Sequence, residues 1–146
     1  MTDPAPRVSV VMAAYNGARH LRAAVDSILA LALRELELIV GDDAATEDTP
    51  QILALFAKDD PRVRVVRNAT NLGPFGSGNR GLALARAPII ARMDADDISH
   101  PARLERQVGF LEAHPDHILV GSSFRAIDDA GHTKYVKVKP TDAFGV

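Results

Sequence analysis

"VSVVMAAYNG" runs from Val8 to Gly17. Val8 to Met12 is apolar and rich in β-branched residues, and it is short enough for a buried strand. Asn16-Gly17 then breaks it. The same order of events recurs down the chain. Leu36 to Val40 is a second apolar run, ending in Gly41-Asp42-Asp43. Val63 to Val66 is a third. Ile89 to Met93 is a fourth, ending in Asp94-Ala95-Asp96-Asp97. Helical periods separate the runs. His20 to Leu33 places Leu21, Val25, Ile28, Leu29 and Ala32 at helical spacing. Thr49-Pro50 reads as an N-cap followed by Pro at N1, opening a helix to about Lys58. Asn79 to Arg86 reads as helical, with Leu82, Leu84 and Ala85 apolar, and Pro88 ends it. Pro101 opens a further helix with Leu104, Val108 and Leu111 on one face. "RNATNLGPFGSGNRG", residues 67–81, reads as a loop. Ile118 to Gly121 is expected as a fifth strand, and "FRAIDDAGHTKYVKV" as two strands around an Asp129-Ala130-Gly131 turn.

Strand and helix alternating in this way predict an α/β domain with a mostly parallel sheet. In such sheets ligands bind beyond the C-terminal ends of the strands. The polar motifs fall there: Ala13-Ala14-Tyr15-Asn16 after the first strand, Asp42-Asp43 after the second, Asp94-Ala95-Asp96 after the fourth.

Composition narrows the classes. The chain has 146 residues, 47% hydrophobic and 25% charged, which suits one globular domain or part of a larger one. A net charge of -2 gives no electrostatic case for nucleic acid as a partner. The absence of cysteine excludes disulfides and thiolate metal sites. The N-terminal stretch lacks the basic region and long apolar core of a signal peptide. No apolar run reaches the roughly 18 residues of a membrane-spanning helix, which leaves peripheral membrane association open.

Three carboxylates directly after a buried strand need an explanation, because like charges repel. Asp94 and Asp96 lie two apart. In an extended segment they would point to one side and Asp97 to the other. Such a pair suits a hard divalent cation with oxygen ligands, Mg²⁺ or Mn²⁺, whose open positions a diphosphate fills. A solvated turn whose aspartates cap the next helix explains the same residues equally well. An EF-hand calcium loop fits poorly. Glu105 falls at the twelfth position from Asp94, but Ser99 stands where the loop requires Gly, and Pro101 interrupts it. Gly76 to Gly81 matches G-x-G-x-x-G by letter, yet it follows the third strand after a long loop, where a dinucleotide fingerprint does not belong. Asp42-Asp43 is either a polar turn or a pair of acceptors for a base or ribose. Tyr15 either packs or stacks on a base. His100 lies close enough to the aspartates to be a ligand, but a role at the helix start fits it better.

Taken in order, "VSVVMAAYNGARHLRAAVDSIL", "ELIVGDDAATEDT" and "NLGPFGSGNRGLALARAPIIARMDADDISHPARLERQ" resemble the family 2 inverting glycosyltransferases. The likeness covers nearly all of Val8 to about Ser123. It implies a GT-A fold, a Rossmann-like three-layer αβα sandwich around a mostly parallel sheet. It also implies a nucleotide-sugar donor, most often a UDP-sugar, and a saccharide or lipid-linked acceptor whose hydroxyl attacks with inversion. By the resemblance, Asp94 and Asp96 match the D-x-D motif. Asp94 would lie near the donor ribose and Asp96 would bind Mg²⁺ or Mn²⁺, with Ala95 between them. Ala13, Ala14, Tyr15 and Asn16 match the segment lining the nucleoside. Asp42 and Asp43 match an acidic pair, one of which contacts the base. Asn79 and Arg80 match a segment supporting the donor loop. There are departures: Ala13 and Ala14 stand where Pro or Thr is common, and Ala44-Ala45 where Gly-Ser is common. After Ser123 only Asp128, Asp129 and Asp142 are carboxylates, and none sits in a recognisable base motif. The resemblance therefore implies that residues 1–146 are the donor half of a GT-A domain, with the catalytic base beyond Val146. Polysaccharide or glycoconjugate assembly in the cytoplasm, or at the inner face of the membrane, is the setting it suggests. Two other classes compete. One is a nucleotide-sugar-binding module without turnover. The other is a sugar nucleotidyltransferase, which should carry a basic glycine-rich loop where Ala13 to Gly17 stands.

Overall fold

The computed structural model describes residues 5–140. They belong to two compact units, one reaching to Val108 and the other beginning at Gly109. The first unit is built on four parallel strands: β1 (Val8–Ala14), β2 (Leu36–Asp42), β3 (Val63–Arg67) and β4 (Ile89–Arg92). Their order is β3-β2-β1-β4. The chain thus winds outward from β1 to β3 and then crosses to the other side of β1. The loops after β2 and β4 leave on opposite sides of the β1 end, which opens a crevice there.

Alternation along the strands divides the core between two faces. On one face Val8, Val10 and Met12 of β1 join Leu38 and Val40 of β2. Helix α1 (Ala18–Leu29) covers them with Leu21, Val25 and Ile28, and α2 (Thr49–Asp59) with Ile52 and Leu53. Leu104 and Val108 of α4 (Arg103–Ala113) are buried in the same cluster. On the other face Val11 and Ile39 lie under α3 (Gly73–Leu82). The sheet is therefore flanked by helices on both faces, as expected.

Three boundaries differ from expectation. Helix α1 ends at Leu29 and not Leu33, because Leu31 and Leu33 leave the helix yet stay buried in the core. At the start of α2, Asp48 and not Thr49 precedes the helix; the Thr49 hydroxyl accepts from the Gly17 N–H (3.1 Å). Helix α3 begins at Gly73, so most of the glycine-rich expected loop is helical. Tertiary packing overrides its low helix propensity. A Cβ on Gly81 would stand 2.8 Å from Val11 Cγ1, and one on Gly41 would stand 2.3 Å from Ser77 Oγ. Of the G-x-G-x-x-G letters, Gly81 thus contributes close helix–sheet approach. Gly81→Ala should destabilise the fold by about 1–3 kcal/mol through overpacking. Gly78→Ala, with nothing within 4 Å of its new Cβ, should be neutral or stabilising by up to about 1 kcal/mol. Urea denaturation of the two variants checks this.

In the second unit β5 (Phe124–Ile127) and β6 (Thr133–Lys137) form the expected antiparallel hairpin. Asp128 Oδ1 accepts from Ala130 N and His132 N, 2.9 Å each, and Gly131 takes a left-handed φ of 84°. The expected strand Ile118 to Gly121 does not form. It pairs with no strand among the described residues, and Ile118 is 98% exposed. Asp142 lies outside the described residues.

At the N-terminal ends of the strands sits a buried ionic cluster. Glu37 is 1% exposed. It accepts from Ser9 Oγ (2.6 Å), Arg86 N (2.8 Å), Arg86 Nε (2.9 Å) and Arg64 Nη1 (3.3 Å). Ser9 Oγ in turn accepts from Ala87 N (3.0 Å). The network ties the turn before β4 to the two central strands.

Candidate functional site

The opposite, C-terminal ends of β1, β2 and β4 bring the polar motifs together. β1 ends at Ala13 and Ala14, and the Asp43 N–H donates to the Ala14 carbonyl (2.9 Å). Tyr15 follows, 52% exposed. Asn16 turns the chain with φ 46°, a conformation asparagine tolerates better than most residues. Its Oδ1 accepts from Thr46 N (2.9 Å), so the loop after β2 holds the loop after β1. The same loop caps α1: Glu47 Oε1 accepts from Ala18 N (2.8 Å), a carboxylate at the positive end of the helix dipole.

The two aspartates after β2 have different surroundings. Both are buried. Asp42 Oδ1 accepts from Ala45 N (3.0 Å) and Oδ2 is paired with Arg67, whose Nη2 also reaches the Ala45 carbonyl. Both of its oxygens are therefore engaged. Asp43 Oδ1 accepts from Asn68 Nδ2 (2.7 Å) and Leu72 N (2.9 Å). Asp43 also lines a cleft of about 120 Å³ with Ala13, Ala14, Tyr15, Asn71, Gly73 and Pro74. The cleft thus joins the end of β1 to the N-terminus of α3.

After β4 the chain turns instead of staying extended. Asp97 N–H donates to the Asp94 carbonyl (3.3 Å), so Asp94 and Asp96 do not share one side of a strand. A turn keeps the repelling carboxylates in water: Asp94 and Asp96 are exposed. Asp94 Oδ1 meets Arg92 Nη2 (3.2 Å), and Arg92 lies over the Phe75 ring. Burial, then the neighbouring Asp96 and Asp94, raise the Asp97 carboxyl above its usual range, while Arg103 opposes this. Arg103 clasps the strand end from α4. It donates from Nη2 to the Arg92 carbonyl (3.0 Å) and from Nε to Gln107 Oε1 (3.2 Å). Its own pKa is lowered by burial, with Asp97 opposing. His100 Nδ1 accepts from Ala102 N (3.2 Å) ahead of α4.

Among the described residues no three His, Asp or Glu side chains converge as a preformed metal-holding group. The donor set that remains is two exposed carboxylates. That fits a Mg²⁺ or Mn²⁺ ion whose other ligands are water and phosphate, and not a closed protein cage. Asn79 is exposed on α3, and Arg80 hydrogen-bonds to Asn68 Oδ1. The sequence reading missed Asn68, Arg67 and Arg103, whose only sequence signal is a polar residue beside a motif.

The sequence profile of "Glycosyl transferase family 2" matches residues 9–143. EpsE of Bacillus subtilis is 40% identical over 127 residues, 86% of this chain and 46% of EpsE. The succinoglycan biosynthesis protein ExoO of Rhizobium meliloti is 39% identical over 118 residues, 81% of this chain and 33% of ExoO. Among solved structures, S. aureus TarS 1-349 in complex with UDP-GlcNAc superposes with a TM-score of 0.70 at 25% identity, covering 75% of this chain and 32% of that one. The mannosyltransferase PcManGT from Pyrobaculum calidifontis, in complex with GDP-Man and Mn²⁺, gives 0.67 at 27% identity, covering 74% and 33%. The chain thus spans less than half the length of these relatives. Sequence profile, relatives and superposition agree: this chain belongs to glycosyltransferase family 2.

Proposed function

We propose that this chain is the donor-binding portion of a glycosyltransferase that takes a sugar from a nucleotide-sugar. The observation that carries the reading is the convergence of three strand ends on one crevice, with a buried aspartate on one side and an exposed acidic turn on the other. Ala13, Ala14 and Tyr15 line the nucleoside side. Asp43, the member of the acidic pair that reaches the cleft, accepts from the base. Asp94 and Asp96 hold Mg²⁺ or Mn²⁺, which stabilises negative charge on a nucleoside diphosphate leaving group. TarS with UDP-GlcNAc and PcManGT with GDP-Man and Mn²⁺ support the donor class and the ion. Inversion follows from the family resemblance. ExoO, a succinoglycan biosynthesis protein, supports a saccharide acceptor. The base that deprotonates the acceptor hydroxyl lies outside the motifs described.

Calorimetric titration of the chain with UDP and with GDP, each with and without Mn²⁺, tests this. Saturable binding that requires the ion is expected for at least one of them. A folded chain that binds neither in the presence of Mn²⁺ overturns the reading.

A further inference from the structure

We infer that Arg92 is a positioning residue that makes the ion and the nucleotide enter the acidic turn together. The inference rests on the donor-binding reading above and deepens it by naming how that site is regulated. Arg92 is the last residue of β4, and its register partner on β1 is Val11, which lies under α3. Its side chain therefore leaves the sheet on the α3 face. There the guanidinium lies over the Phe75 ring of α3, 5.8 Å from the ring centre, and Nη2 donates to Asp94 Oδ1 (3.2 Å). One of the two carboxylates proposed to hold the ion is thus already paired with a cation of the chain itself.

Exposure decides what this pair can do. The Arg92 side chain is 67% exposed and that of Asp94 58%. A pair so open to water is weak, so it competes with an arriving ion without excluding it. When Asp94 lets go, the exposed Phe75 ring still keeps the guanidinium beside the turn through a cation–π contact. Arg103 cannot take this role. Its donors are committed to the Arg92 carbonyl, Gln107 Oε1 and Met93 Sδ (3.5 Å). Arg92 can change partners, and Arg103 holds the strand end on which it does so.

The charges then balance differently in two cases. An ion arriving alone has to take Asp94 from Arg92. It sets a doubly charged cation beside a guanidinium that has lost its partner. An ion arriving with a nucleoside diphosphate takes Asp94 in the same way, but the phosphate oxygens bring the acceptors that the guanidinium needs. Arg92 therefore opposes the ion alone and supports ion and diphosphate together. By linkage, each of the two ligands raises the other's affinity by one common factor. Arg92 supplies part of that factor.

The experiment reads Mn²⁺ binding from the EPR signal of the free ion, and UDP binding by calorimetry with and without Mn²⁺, at low ionic strength. GDP replaces UDP if the wild type binds only GDP. The proteins are the wild-type chain, Arg92→Gln and Arg92→Lys. Arg92→Gln should bind Mn²⁺ alone about two- to fivefold more tightly. It should bind UDP at saturating Mn²⁺ about fivefold more weakly and UDP without the ion unchanged, so the common factor falls about fivefold. A damaged fold weakens both ligands and does not produce changes of opposite sign. Arg92→Lys keeps the charge without the planar fork and should stay within about twofold of the wild type for the ion alone. Mn²⁺ binding alone that is unchanged or weaker in Arg92→Gln overturns the inference. So does UDP binding with Mn²⁺ that keeps its wild-type strength, or an Arg92→Lys protein that behaves like Arg92→Gln. A wild type whose nucleotide affinity does not respond to the ion overturns the inference and leaves donor binding in place. A wild type that binds neither nucleotide refutes the donor-binding reading itself, and the inference with it.

Discussion

Glu37→Ala is expected to lower the unfolding free energy by about 3 kcal/mol, the lower end of the range for breaking a buried ion pair from one side. Glu37 sits in the central sheet with Ser9 Oγ, the Arg86 backbone and side chain, and Arg64 all donating to it. Removing the carboxylate leaves the Ser9 hydroxyl and the Arg86 N–H without their acceptor. The two guanidinium groups are partly exposed and regain water, which holds the loss at the lower end. In a domain of ordinary stability this is a large share of the total. Acid should reproduce part of the effect. Burial alone would raise the Glu37 carboxyl above the ordinary 4.5, but hydrogen bonds from Ser9, Arg86 and Arg64 outweigh it and the value is lowered. A carboxyl depressed in the folded state contributes stability that is present above the unfolded value and lost as pH falls through the folded one. Urea midpoints of the wild type should therefore drop on going from pH 5 towards the lowered folded value. Glu37→Gln should start lower and lose less over the same range. Equal pH slopes in the two proteins would refute the assignment.

The parts of this molecule that were legible in the sequence are those whose signal is local. Val8 to Met12, Leu36 to Val40 and Ile89 to Met93 are apolar runs closed by polar residues, and a parallel buried sheet produces that pattern directly. The placing of Ala13 to Asn16, Asp42-Asp43 and Asp94 to Asp97 at one sheet edge followed from topology alone. What stayed hidden depends on partners far away in sequence. Glu37 looks like an interruption in an apolar strand until Arg86, 49 residues on, is brought to it. Asp42 and Asp43 read as an equivalent pair, and only Arg67 and Asn68, each 25 residues later, separate the filled carboxylate from the one that reaches the cleft. Helix α3 was hidden for the opposite reason. Its glycines argue locally against a helix, and the gain that outweighs this lies in how closely Gly81 lets it approach Val11. Ile118 to Gly121 has a strand-like composition, but a strand also needs a neighbour, which composition does not reveal.

Asp96→Ala should separate binding from stability. Asp96 is exposed in a turn that holds three carboxylates within four residues. Its removal takes away one of only two protein ligands proposed for the ion. Metal-dependent nucleoside diphosphate binding should weaken by on the order of 100-fold or more, since changes even to groups that only support a metal's ligands cost about 10–100-fold. Folding should not suffer. Surface substitutions away from caps and buried networks stay within about 0.5 kcal/mol. Here the substitution also relieves repulsion, because Asp96 and Asp94 both oppose the charge on Asp97. The variant should therefore melt at or slightly above the wild-type temperature while failing to bind UDP with Mn²⁺. A variant that binds like the wild type would assign the turn to the protein's own packing, with Asp94 and Asp96 as solvated turn residues. A variant that loses both binding and stability would make Asp96 a structural residue. Loss of the Mn²⁺-dependent part of binding with stability kept is the outcome a cation site at this turn produces, because a repulsion retained in the free protein then serves a charge that arrives with the ligand.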